Sequence, residues 1–146
     1  MKRSLQVILL IHVGIANGQA GDNENAFAAL AKANAADYTI QLDERELSLQ
    51  SESVLNWTNP AVGEIYGGVF FWTKDDRPMV VASIFKWYRP HTHMTHEFQS
   101  LTERGKLIGW REGKQVWQTS DPGVRWKRVD GAPAVGATPS QRLLQM

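Results

Sequence analysis

His91-Thr92-His93-Met94-Thr95-His96-Glu97 is the one stretch of this 146-residue chain whose residue types and spacing could do chemistry. The pattern His91-x-His93-x-x-x-Glu97 matches the core of a metal motif of β-barrel proteins, in which imidazoles from one strand face and a nearby carboxylate converge on one ion. Zinc, iron, manganese or nickel would suit such donors. Three features oppose that reading. Phe85 stands where the motif places a glycine, no histidine follows His96 to complete the set, and Pro90 interrupts the strand. In a regular strand, His96 faces away from His93 and from its neighbour Glu97, so neither a shared metal nor an acid/base pair forms easily. The expectation is that His91, His93, His96 and Glu97 make no tight metal site and sit on a loop between strands, or that His96 or Glu97 is buried and hydrogen-bonded to backbone. The alternative is a metal-dependent or acid/base enzyme built on those four residues. No nucleophile elbow, phosphate loop or dinucleotide fingerprint occurs, so no other cofactor or reaction class is indicated.

The elements that must position this cluster lie just before it. Ile65–Thr73 and Met79–Tyr88 are apolar runs flanking the turn sequence Lys74-Asp75-Asp76-Arg77-Pro78, which predicts a central β-hairpin. Both faces of both runs are apolar, which predicts strands covered above and below. On that reading, Val81→Asp would bury an unpaired charge. Tyr38–Leu42 and Glu46–Trp57 alternate like half-buried antiparallel strands, and Thr58-Asn59-Pro60 ends the second. After the histidines, Glu97–Leu101 reads as a short strand. Lys106–Trp110 and Lys114–Gln118 bracket Arg111-Glu112-Gly113 as a second hairpin, and Val124–Lys127 reads as an edge strand.

The ends of the chain read differently. Residues 1–20 have a basic start, the apolar run Leu5–Ala16 and a small-residue finish at Gly18-Gln19-Ala20, the form of a signal peptide cleaved after Ala20. That predicts export to the periplasm or beyond, with no stable membrane span after cleavage. Residues 21–37 are alanine-rich but carry three asparagines, which predicts a short or frayed helix or a tether. Residues 38–130 form the β-rich domain, and 131–146 a Pro/Ala linker leading into a helix. Thr138-Pro139-Ser140-Gln141 is a well-formed helix start, yet little sequence follows it. The expectation is a native chain that continues past Met146, or a short terminal helix docked on the sheet.

Composition narrows the class. With 42% hydrophobic and 21% charged residues the chain is globular, and the absence of cysteine rules out disulfides and thiolate metal sites. Residues 21–100 carry 11 acids against 6 bases, whereas 101–146 carry 4 acids against 8 bases. The basic C-terminal part complements the acidic one, so nucleic acid is not an expected partner. Six tryptophans are many for this length. Trp72 and Trp87 lie in the most apolar strands and are expected in the core, whereas Trp110, Trp126 and Tyr88 are candidates for stacking on a ligand.

The segments Leu55-Asn56-Trp57-Thr58-Asn59-Pro60, Tyr66-Gly67-Gly68-Val69-Phe70, Ala82-Ser83-Ile84-Phe85-Lys86-Trp87-Tyr88 and Thr95-His96-Glu97-Phe98, with Gly131-Ala132-Pro133 and Ala137-Thr138-Pro139, resemble an uncharacterised exported family of planctomycetal bacteria. The likeness runs from about Tyr38 to the end. It implies export and a chain extending beyond the helix at Thr138, and it carries no activity. Where that family tends to read His-Glu-Phe-His, this chain has Gln99, which removes a further ligand from the cupin-type spacing described above. The expected architecture is mainly β, with α+β as the alternative: an antiparallel, strongly curved sheet or partly open barrel with short helices at both ends. The expected role is a non-catalytic binding or structural module of the envelope, for a glycan, envelope component or protein.

Overall fold

The computed structural model describes residues 17–128, 130–131 and 134–144, so most of the expected signal peptide lies outside it. The described chain is mainly β, with two antiparallel sheets that are not closed into a barrel, and one helix near each end. Helix α1 spans Asn17–Ala36. The strands follow as β1 Tyr38–Leu42, β2 Arg45–Glu46, β3 Ser48–Leu49, β4 Leu55–Thr58, β5 Glu64–Lys74, β6 Arg77–Arg89, β7 His93–Ser100, β8 Leu107–Arg111 and β9 Lys114–Thr119, with α2 at Pro139–Leu143. One sheet has the order β2-β1-β8-β9. The other runs β3-β5-β6-β7, with β4 also paired to β5.

The predicted hairpin is β5–β6, paired from Glu64↔Arg89 to Lys74↔Arg77. Asp75 and Asp76 both have positive φ, 50° and 61°, the geometry that lets a two-residue turn follow the natural twist of the strands. Its two faces differ, contrary to the expectation that both are covered. Phe70, Trp72, Val80, Ala82 and Ile84 point inward and are fully buried, whereas Val69, Phe71, Val81 and Phe85 on the outer face are only half-buried. The inner residues share one core with Tyr38, Ile40 and Leu107 of the four-stranded sheet and with α1.

Of the expected short or frayed helix or tether, the helix is what forms, and it is continuous over 20 residues. Its stripe Phe27, Ala31 and Ala35, spaced four residues apart, is buried, and Phe27 stacks on Tyr66 with centroids 6.5 Å apart. Small alanines let the helix approach the sheets closely. Two of its asparagines, weak helix formers in isolation, have partners here: Asn23 donates to Glu64 at 2.7 Å, and Asn34 donates to the Leu30 carbonyl at 2.9 Å.

Other expectations change in detail. The stretch 46–57 is not one strand but β2, β3 and β4. Leu47 leaves β2 for the core, and its N–H bonds to the Ile40 carbonyl at 2.8 Å, which carries the chain from one sheet to the other. β7 starts at His93 rather than at Glu97, so most of the histidine cluster is strand, not loop. Residues 124–128 form no strand; the chain is pinned upstream, where the Gly123 N–H bonds to the Thr102 carbonyl. A Cβ at Gly123 would lie 1.7 Å from the Ser100 carbonyl oxygen, so only glycine permits that approach. α2 begins with the predicted capping box at Thr138 and Gln141, but none of its residues is buried and Leu144 is 88% exposed, so it is not docked on a sheet.

Candidate functional site

The β6–β7 register runs without a bulge from Trp87↔His93 to Val80↔Ser100, so β7 alternates regularly. The four candidate residues are thereby separated. His91 is exposed in the turn before β7, and Glu97 is exposed on the outer face. His93, on the same outer face, stacks on Trp87 with centroids 5.6 Å apart and planes 18° from parallel. His96 points the other way, into the space between the sheets. Among the described residues, no group of three or more histidine or carboxylate side chains could hold a metal ion.

His96 instead joins a hydrogen-bonded chain that spans the two sheets. Its Nδ1 lies 2.6 Å from the Tyr38 hydroxyl of β1. Arg111 of β8, paired with Tyr38 in the sheet register, sets its guanidinium 5.2 Å from the Tyr38 ring centre and one N–H 3.5 Å from the hydroxyl oxygen. Its other terminal nitrogen donates to Asn34 Oδ1 at 2.9 Å and to Asp37 Oδ2 at 3.1 Å. A guanidinium can only donate, so the Tyr38 oxygen accepts from Arg111 and its own proton is free for His96 Nδ1. With its proton on Nε2, a neutral His96 accepts that hydroxyl proton at Nδ1. Burial, then the positive charge of Arg111, pushes the His96 pKa below its ordinary value, against a smaller opposing pull from Asp37. For Arg111, burial works against the charge, but the hydrogen bond to Asp37 and the contacts with Tyr38 outweigh it and raise its pKa.

The aromatic candidates also separate. Tyr88 is half-buried on the inner side, edge-on to Tyr66 at 5.8 Å, with the Lys86 ammonium 4.6 Å from its ring centre. Burial and then the nearby Glu64 carboxylate raise its phenol pKa. Trp126 is 75% exposed and donates its indole N–H to Glu103 at 2.8 Å. Trp110 is different. It sits half-buried on the outer face of the four-stranded sheet, in an open groove of about 300 Å³ lined by Asp37, Thr39, Gln41, Trp110, Glu112 and Gly113. Its indole N–H is buried and has no hydrogen-bond partner among the described residues.

Sequence reading found Trp110 but none of its polar neighbours. Alternation in Tyr38–Leu42 does set Thr39 and Gln41 opposite Tyr38 and Ile40. What the sequence does not announce is the pairing of β1 with β8, which opposes Thr39 to Trp110 and Tyr38 to Arg111. No protein-family model matches the chain, and no curated protein or solved structure matches it either. Among the described residues no helix is long and apolar enough to cross a membrane.

Proposed function

We propose that this protein is an exported, non-catalytic binding module that takes a hydroxyl-rich ligand, a neutral oligosaccharide, on the outer face of its four-stranded sheet. The observation that carries the reading is the Trp110 groove: an indole set among a hydroxyl, an amide and two carboxylates. A sugar ring has an apolar C–H face that packs on an aromatic ring and a rim of hydroxyls that bond to such polar side chains. Asp37 and Glu112 disfavour phosphate and uronate, which argues against nucleic acid and acidic glycans. Export rests on the basic, apolar and small-residue order of residues 1–20.

The test is calorimetric titration of the protein with short neutral hexose, N-acetylhexosamine and uronic-acid oligosaccharides. Binding of a neutral member is expected, weakened at least tenfold by Trp110→Ala and absent for the uronate series. Failure of every neutral glycan to bind, or binding indifferent to Trp110→Ala, would overturn the assignment.

A further inference from the structure

The groove and the His96 chain share one residue. Asp37 lines the groove beside Trp110, and its carboxylate is bonded to Arg111, which in turn contacts Tyr38, which bonds His96. Arg111 also follows Trp110 directly in β8, so the groove's indole and the chain's cation are set by the same two residues of backbone. We propose that this chain makes the Trp110 groove acid-sensitive: neutral His96 holds Tyr38, Arg111 and Asp37 in the arrangement seen here, and protonated His96 loosens it. The ligand-binding consequence rests on the groove being the binding site; the change in the groove itself does not.

The physical step is a reversal of one hydrogen bond. Neutral His96 accepts the Tyr38 proton at Nδ1, while the Tyr38 oxygen accepts from Arg111. Once Nδ1 carries a proton, it becomes a donor facing that same oxygen. The Tyr38 hydroxyl must then turn its proton away from His96, toward the side from which Arg111 donates. A second cation now stands beside the guanidinium as well, and like charges at this range repel. Arg111 has room to yield, since its side chain is 29% exposed and Asp37, its anchor, is 48% exposed. Movement of Arg111 either drags Asp37 or releases it, and in both cases the groove wall changes.

The surroundings leave few other groups to act on His96. From β8 comes Arg111, from β1 and the residue before it Tyr38 and Asp37, and from α1 only the uncharged Asn34. β6 places Ile84 opposite His96 and Lys86 two pairs further along, opposite Met94, with its ammonium over the Tyr88 ring. On its own strand, the neighbours facing the same way are Met94 and Phe98. Asp37 is therefore the one carboxylate acting on this histidine, and it is already bonded to Arg111.

The experiment is solution NMR on the whole protein from about pH 8 to about pH 5, the span in which imidazoles titrate. The Trp110 indole N–H resonance, identified by its loss in Trp110→Phe, is followed beside the His96 ring proton. Both are expected to shift with a common midpoint, and the pH dependence of the indole signal should vanish in His96→Gln. Tyr38→Phe keeps the ring but removes the hydrogen-bonded step, so there the indole response to His96 titration should shrink to what repulsion between His96 and Arg111 alone transmits. A Trp110 signal that ignores His96 titration in the parent protein, or that still follows pH in His96→Gln, would overturn the proposal. In parallel, the affinity of an N-acetylglucosamine tetramer, which is neutral throughout, should fall about fivefold or more on acidification, the low end of ordinary site-to-site coupling. If that probe binds at no pH while the two resonances move together, the glycan reading fails and the acid switch stands. Binding that does not vary with pH would confine the switch to the wall and overturn its control of ligand.

Discussion

The two sheets turn different surfaces to solvent. The outer face of the five-stranded sheet is largely apolar over β5 and β6, with polar His93, Thr95, Glu97 and Gln99 of β7 along one side, and its aromatics serve one another: Trp57 meets Phe85 at 5.5 Å, and Trp87 stacks on His93. A Cβ on Gly67 would lie 2.1 Å from one indole carbon of Trp57 and 2.4 Å from each of the two atoms flanking it. Such near-equal distances require the indole to lie flat across the glycine. The outer face of the four-stranded sheet is mostly polar, with Thr39, Gln41, Gln115 and Gln118 on it beside Ile108, and Trp110 standing outside those ring pairs. An aromatic residue among aromatics is engaged in holding cross-strand pairs together. An indole alone among amides and carboxylates has no such task. The comparison separates stabilising tryptophans from a ligand-facing one, which their number in the sequence could not do.

The largest expected effect tests whether the five-stranded sheet really has one covered and one open face. Val80 and Val81 are adjacent in β6, with Val80 fully buried and Val81 half-buried on the outside. Val80→Asp strands a charge in the core and should cost roughly 4 kcal/mol or more, enough to unfold a marginal domain. Val81→Asp should cost only about 1 kcal/mol, because its carboxylate reaches water. Thermal melts of the two variants would check this. Equal losses would mean the outer face is covered after all.

Gly67 gives the next effect. Gly67→Ala drives a methyl group into the Trp57 ring, and overpacking of this kind costs about 1–3 kcal/mol. The penalty should shrink when Trp57→Ala is already present, because the clash is then gone. Denaturant midpoints of the two singles and the double give the coupling directly; strict additivity would show that the indole does not rest on the glycine.

Much of the five-stranded sheet was legible because its residues are decided locally. A two-residue acidic turn between long apolar runs admits few structures, and Asp75 and Asp76 take the positive φ that such a turn demands. What escaped depends on partners distant in sequence. Ala31 and Ala35 look indifferent until β5 and β6 pack against them, so the segment reads only as a short or frayed helix or a tether. The histidine cluster read as loop because Pro90 suggested a break, whereas β7 simply starts three residues after it. Its parity was legible, since alternation alone predicts that His93 and His96 face apart. Yet nothing near His96 in sequence points to Tyr38, 58 residues away, or to Arg111 beyond it. The same holds for the groove: Trp110 stood out by type, while Asp37, Thr39 and Gln41 became its neighbours only through β1–β8 pairing.

A smaller effect concerns acid. The pKa of His96 is held below its unfolded value of about 6.5, chiefly by burial and then by Arg111. The unfolded chain therefore binds this proton first, so stability rises with pH across the window between the two values. The contribution is intact above the unfolded value and is lost as pH falls through the folded one. The melting temperature should accordingly drop on mild acidification, and His96→Gln should flatten that part of the curve. An unchanged slope in the variant would assign the acid loss to other groups and separate the inner histidine from the outer, freely solvated His93.

The smallest expected effect on stability is the one that weighs most on function. Trp110 has no hydrogen bond to lose and neither the ring pair nor the glycine seat that hold Trp57, so replacing it removes less. Trp110→Ala should therefore shift stability by about 1 kcal/mol or less, whereas Trp57→Ala, which strips an indole from Gly67 and Phe85, should cost about 2–3 kcal/mol. Glycan affinity should move in the reverse order, lost in Trp110→Ala and retained in any Trp57→Ala protein that stays folded. Paired melting and calorimetric measurements on the same preparations resolve the two axes. If Trp57→Ala abolishes glycan binding while Trp110→Ala leaves it intact, the roles of the two faces are exchanged, and the aromatic surface of the five-stranded sheet, not the polar groove, is where the ligand lies.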